Sequence, residues 1–132
     1  MEIKYSLEKV VLPKDIIRVF TNSGIKRPVD DIERIEKMFK YSDIVCSAWS
    51  EGNLVGVGRA LSDFSYCCYV SDIAVDQKFQ NLGIGKKIVD LIQEKAGDRC
   101  SFFLKSAESA KDYYPKIGFQ TGKNYFEIAR KF

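Results

Sequence analysis

The chain has 132 residues, enough for one domain around one hydrophobic core and too few for a second core of useful size. Hydrophobic residues at 45% and charged residues at 30% exclude a disordered or fibrous chain, and 21 Lys and Arg interspersed with 18 Asp and Glu leave no clustered basic face for nucleic acid or a membrane. Histidine is absent, which removes a Ser-His-Asp triad, a Cys-His pair and a histidine-bound zinc, and leaves Tyr, Asp, Glu, Lys, Cys or water as the only acids and bases.

Met1 to Val10 alternates apolar and polar residues without the long apolar run of a signal peptide or spanning helix, so a cytoplasmic protein is expected. Within it, Ile3 to Val10 reads as a first strand. Pro13 stands where a helix can begin, Ile16, Val19 and Phe20 share one face, and Gly24 is the stop. After the cationic loop Ile25-Lys26-Arg27, Pro28 is expected to open a second helix with the apolar stripe Ile32, Ile35, Met38 and Phe39. Asp43 to Ser50, the turn Glu51-Gly52-Asn53, Leu54 to Ser62, a turn around Asp63, and Tyr66 to Val75 read as an antiparallel meander.

Gly83 to Ala96 carries Ile84, Ile88, Leu91 and Ile92 at helical spacing and is closed by Gly97, and Cys100 to Lys105 suits a buried strand. Strand, helix, strand implies a parallel pair with a right-handed crossover. Ser109 to Ile117 reads as a short helix whose last turn Pro115 disturbs, and Asn124 to Phe132 alternates like a final strand. The expected order is βααβββαβαβ in one domain over residues 1–132. Cys46, Cys67, Cys68 and Cys100 form no C-x-x-C pair and read as small core residues, with Cys67 and Cys68 on opposite faces of a strand.

The informative segment runs from Asp72 through Ile73, Ala74 and Val75 to Gln80, Asn81, Leu82, Gly83, Ile84, Gly85 and Lys86, a strand end leading through a tight loop into a helix. Such a turn suits a phosphate, because Gly83 and Gly85 present no side chain and the first-turn amides are free donors at the positive end of the helix dipole. A P-loop is excluded because Gln80 stands where its first glycine belongs and Lys87 where its Ser or Thr belongs. A dinucleotide fingerprint is excluded because Ile88 stands at its third glycine. The alternative is a tight entry into an ordinary helix.

Gln80-x-x-Gly83-x-Gly85 resembles the coenzyme A loop, Q/R-x-x-G-x-G/A, of the Gcn5-related N-acetyltransferase (GNAT) family. Ala110-Lys111-Asp112-Tyr113-Tyr114-Pro115-Lys116-Ile117-Gly118-Phe119 resembles the same family's A-x-x-F/Y-Y-x-K-x-G-F segment, one helix and one strand downstream. The resemblance implies an α/β fold with a mixed, mostly antiparallel sheet, splayed parallel strands 4 and 5, and flanking helices. It implies acetyl-CoA as cosubstrate, with no metal. Its pantetheine arm would lie along Ile73, Ala74 and Val75, and its pyrophosphate on the amides of Gln80, Asn81, Leu82, Gly83, Ile84, Gly85 and Lys86.

The resemblance further implies direct attack of a neutral amine on the thioester in a ternary complex, with no acyl-enzyme. The oxyanion would be held by a backbone amide near Ile73 to Val75. Tyr114, at the family's tyrosine position, is expected beside the cofactor as the acid that protonates the leaving thiolate, with Tyr113 facing the core. Asp72 is the candidate base, Tyr69 and Glu108 are lesser ones, and water alone is a further alternative. Ala107 stands where many relatives carry an asparagine, leaving Ser106 or Ser109 to supply that contact. The acceptor is expected to be a primary amine of a small molecule, with a protein amino group as the alternative, and no nucleic acid or membrane partner is expected. Lys26 and Arg27 read as ordinary solvated loop charges or, alternatively, as contacts for an acidic group on it, and the aromatic C-terminal strand is a candidate homodimer surface. The competing reading is a coenzyme A-binding or regulatory module without catalysis.

Overall fold

The computed structural model describes residues 2–132; Met1, where the alternating amino-terminal run begins, lies outside them. Five strands form one sheet in the order β1 (Lys4–Ser6), β2 (Ile44–Ser50), β3 (Asn53–Ser62), β4 (Cys67–Val75) and β5 (Ser101–Leu104). The first four pair antiparallel, and β4 and β5 pair parallel, so the sheet is mixed as expected. The helices are α1 (Pro13–Ser23), α2 (Ile32–Lys40), α3 (Ile84–Ala96) and the single-turn α4 (Tyr113–Lys116).

Local chemistry sets most boundaries. Pro13 occupies the first turn of α1, and Gly24 ends it at a φ of 84°, a conformation glycine adopts without steric cost. The β2–β3 hairpin turns through Glu51 and Gly52, both at positive φ, which matches the right-handed twist of the strands. Gly83 and Gly97 bracket α3.

Several elements differ from expectation. Strand β1 stops at Ser6, whose hydroxyl accepts from the amides of Glu8 and Lys9 and bends the chain away. Helix α2 starts at Ile32 rather than Pro28, because Pro28 to Asp31 forms a turn and the Asp31 side chain caps the helix by accepting from the Arg34 amide at 3.1 Å. The expected helix over Ser109 to Ile117 divides into a 3₁₀ turn, Glu108–Ala110, and α4, with Pro115 inside the short second piece. Asn124 to Phe132 forms no strand. Its residues are exposed and meet no ladder, and alternation becomes a strand only where an edge supplies its hydrogen bonds.

The sheet has two buried faces. On one, α3 packs Ile84, Ile88 and Ile92 against Cys46, Ala48, Cys68 and Val70. On the other, α1 and α2 pack Ile16, Val19, Phe20 and Ile35 against Leu54, Val57 and Ala74. Each large side chain so buried contributes about 1.5–3 kcal/mol. Gly58 lets α3 approach, since a Cβ there would stand 2.6 Å from the Cγ2 of Ile88. Cysteines 46 and 68 are buried core residues, Cys67 is exposed on the opposite face from Cys68, and all four thiols are free.

Candidate active site

Strand β4 changes phase part-way along. Its register against β3 pairs Ala60 with Val70 and Arg59 with Asp72, so Ser71 is an inserted bulge residue. Before the bulge, Cys68 and Val70 face α3; after it, Ile73 and Val75 do, and Asp72 and Ala74 turn toward α1 and α2. Pairing with β5 ends at Val70 and Leu104. From Ser71 to Val75, β4 therefore has a neighbour on its β3 side only, and the edge facing β5 is open.

The open edge leads straight into the glycine turn. The Gln80 side-chain amide donates to the Val75 carbonyl at 2.9 Å, and Asp76 fixes the intervening loop by accepting from the Lys78 amide at 3.0 Å and the Asn22 side chain at 3.1 Å. Asn81 and Gly83 both adopt positive φ, at 67° and 80°, and Gly83 is the N-cap of α3 without a side-chain cap. The first intrahelical bond is Lys87 to Gly83, which leaves the amides of Ile84, Gly85 and Lys86 as free donors. Leu82 and Lys86 are exposed; the Lys86 ammonium pairs with Asp90 at 2.8 Å, which raises its pKa.

Gly85 marks where the elements converge. A Cβ there would lie 3.7 Å from the Tyr113 hydroxyl, 3.8 Å from Cγ2 of Val75 and 4.0 Å from Cγ2 of Ile73. The expectation that Tyr113 faces the core is therefore corrected: it is 41% exposed, with its phenol beside the α3 N-terminus. Tyr114 is half-buried, edge-on to Tyr113 at 5.2 Å and to Phe119 at 5.5 Å, and lines a groove beside β5. Burial raises the pKa of both phenols, opposed at Tyr113 by the Lys86 charge.

Asp72 occupies a different environment from a base facing an acceptor. Its carboxylate is fully buried, with Oδ1 accepting from Arg27 Nε and Oδ2 from Arg59 Nε. Arg27 also donates to the Ser71 and Lys26 carbonyls at 3.0 and 2.7 Å. Arg59 also donates to the Ser71 hydroxyl at 3.0 Å, and its guanidinium lies 5.7 Å from the Phe39 ring centre. Both oxygens are thus engaged, and Arg27 is an internal anchor rather than a free loop cation; Lys26 stays exposed. Tyr69 stacks on Phe103 at 5.5 Å, ahead of the open edge, and Glu108 pairs with Lys111 on the surface.

Sequence reasoning overlooked Arg59 and the role of Arg27. Arg59 had a signal, being the only charged residue in an apolar run from Leu54 to Ala60, where a buried cation demands an anion across the sheet. Arg27 had none, because its partner lies 45 positions away.

Comparison with known proteins identifies the family and the fold. Residues 5–129 match the family described as acetyltransferase (GNAT) domain. The uncharacterized N-acetyltransferase ycf52 of Pyropia yezoensis is 31% identical over 101 residues, 72% of this chain and 56% of that protein. The chain thus spans about half the length of the curated relatives it matches. A protein of unknown function from Staphylococcus aureus, described as a probable acetyltransferase, superposes with a TM-score of 0.85 over 99% of this chain and all of that one at 20% identity. Glucosamine-6-phosphate N-acetyltransferase from Arabidopsis thaliana gives 0.72 over 100% and 99% at 16% identity. The chain belongs to the GNAT acetyltransferase family.

Proposed function

We propose that the chain, acting as one catalytic domain, transfers the acetyl group of acetyl-CoA to a primary amine of a small-molecule acceptor. The observation that carries this reading is the junction of an open β4 edge, a glycine turn with free α3 amides, and a phenol at Gly85. These features fit the cosubstrate. A Cβ at Gly83 would meet nothing within 4 Å, so the space over the turn is open for a pyrophosphate. The unpaired backbone from Ser71 to Val75 offers a strand-like edge for the amide-bearing pantetheine arm.

Bound there, acetyl-CoA supplies an acetyl group activated as a thioester. Ile73, Ala74 and Val75 present the open backbone edge that aligns it, and an amide of this stretch stabilises negative charge on the carbonyl oxygen. Gln80, whose side-chain amide donates to the Val75 carbonyl, ties the loop to the end of this edge. Tyr113 or Tyr114 keeps its proton at neutral pH and donates it to the departing thiolate, and Tyr113 has the shorter path to the turn. The amine loses its proton to water, because both Asp72 oxygens are occupied. Asp72 instead pins the loop before α2, through Arg27, to the bulge of β4. No described helix is long and apolar enough to cross a membrane, and an aqueous compartment such as the cytoplasm completes the proposal.

The decisive experiment titrates the protein with acetyl-CoA by calorimetry, beside Gly85→Val, and then follows thiol release with a panel of amines. Micromolar binding that weakens at least tenfold in the variant, with thiol release by some amine, supports the proposal. No binding by the folded chain overturns it. Binding without release by any amine favours the non-catalytic coenzyme A module.

A further inference from the structure

The clamp around Asp72 is not neutral. Two guanidiniums, Arg27 and Arg59, face one carboxylate, which leaves a positive charge in excess where Asp72 is fully buried and Arg59 nearly so. A desolvated charge without a partner is costly, so the fold must balance it or present it to a ligand. Among the described residues no second carboxylate forms an ion pair with either guanidinium. Asp30 and Asp31 follow Arg27 in the same connection, but Asp30 is exposed and the Asp31 side chain is turned to the Arg34 amide.

Counting donors shows where the excess charge meets solvent. A guanidinium carries five N–H groups. Arg27 spends three of them, Nε on Asp72, Nη2 on the Ser71 carbonyl and Nη1 on the Lys26 carbonyl. One N–H is left on each terminal nitrogen of a side chain that is 27% exposed. Arg59 lies deeper, with its nitrogens engaged by Asp72, Met38, Ser42 and Ser71, so it adds charge from beneath without meeting a ligand. The anchoring bonds fix the Arg27 fork in place, so little side-chain freedom is lost when an oxyanion takes the two remaining donors. Lys26, exposed beside it, supplies a further cation.

The place of this fork in the fold selects its occupant. Arg27 is tied to Ser71 and Asp72, the first residues of the open β4 edge, on the side of the sheet that carries α1 and α2. The glycine turn lies past the other end of that edge, at the N-terminus of α3, which packs on the opposite face. Arg27 is thus set apart from the turn proposed for the pyrophosphate. A strand rises about 3.3 Å per residue, so an anion on Arg27 stands on the order of 10 Å from a thioester aligned by Ile73 to Val75. Building on acetyl transfer as proposed above, we propose that the acceptor is an amine bearing an oxyanion, carboxylate or phosphate, within about 10 Å of its nitrogen, and that the two free N–H groups of Arg27 bind it. The oxyanion neutralises the excess charge of the clamp while the amine reaches the thioester. A polyamine brings a further cation to the fork and is repelled, and an uncharged amine brings nothing for it to bind.

Matched acceptors test the assignment. Thiol release from acetyl-CoA is followed with β-alanine against propylamine and with O-phosphoethanolamine against ethanolamine, and the pair with the larger difference tells carboxylate from phosphate. In the wild type the charged member of at least one pair should show a kcat/KM about 10- to 100-fold above its neutral partner, chiefly through KM, as a bidentate charge-assisted contact supplies. Arg27→Gln removes the cation, and Arg27→Lys keeps the charge without the fork. The preference should shrink to within about 2-fold in the first and to an intermediate value in the second. A merely structural role for Arg27 would slow both members of a pair alike and leave their ratio where it was. Propionate or methyl phosphate, matched to the preferred pair, should inhibit the wild type competitively against the acceptor, which needs no variant. Equal kcat/KM within both pairs, a ratio unmoved in both variants, or an inhibitor that fails to compete would each overturn the oxyanion site while transfer stands. Thiol release with no amine at all defeats transfer, and this assignment with it.

Discussion

Replacing Asp72 by Asn separates an anchoring carboxylate from a catalytic one. The change keeps size and one acceptor oxygen but removes the negative charge that faces two guanidiniums. The side-chain exposures are 0% for Asp72, 11% for Arg59 and 27% for Arg27, so the Arg59 contact is the better shielded of the two. Breaking a buried ion pair from one side costs about 3–5 kcal/mol, because the surviving charge stays desolvated. Arg27 retains bonds to two carbonyls and some water, so the loss should fall near the lower limit. About 3 kcal/mol in a domain of this size lowers Tm by roughly 10–15 °C. Thermal and urea unfolding of wild type and Asp72→Asn measure it. Arg59→Met combined with Asp72→Asn should be less destabilised than the sum of the single changes, since each removes the other's penalty. If Asp72→Asn melts within about 2 °C of wild type yet loses turnover, the anchoring argument fails and Asp72 is the base.

Tyr113→Phe should lower kcat about 10²-fold or more with little change in acetyl-CoA affinity, and Tyr114→Phe less, as read by steady-state kinetics; the reverse order would return the acid to Tyr114. Because burial raises both phenols above their ordinary value, the proton-donating form persists at neutral pH, and kcat should fall only above about pH 10. Gly83→Ala meets no neighbour but sits at a φ of 80°, so it should cost about 1 kcal/mol of stability, measured by urea unfolding. Burial pushes the Cys46 thiol up to about 12, so in thiol titration at pH 8 the native protein should expose Cys67 to reagent and withhold Cys46 until it unfolds.

Much of this architecture is written locally. Pro13 and Gly24, the Glu51-Gly52 turn, and the glycines bracketing α3 set their elements through φ preferences that need no distant partner, and periodic apolar residues name the buried faces. The cofactor turn is legible for the same reason, since Gln80, Gly83 and Gly85 lie within one short loop.

What required the folded chain was every feature made by distant partners. The bulge at Ser71 exists only as a register shift against β3, yet it decides that Asp72 turns away from the α3 face. Arg27 and Arg59 become a clamp because the fold brings three remote charges together in a site dry enough to make each depend on the others. Which of two adjacent tyrosines reaches Gly85 depends on the rotation of a single helical turn. The alternation of Asn124 to Phe132 specifies a strand, but a strand is completed by an edge, and that edge is the one thing a lone segment of sequence does not contain.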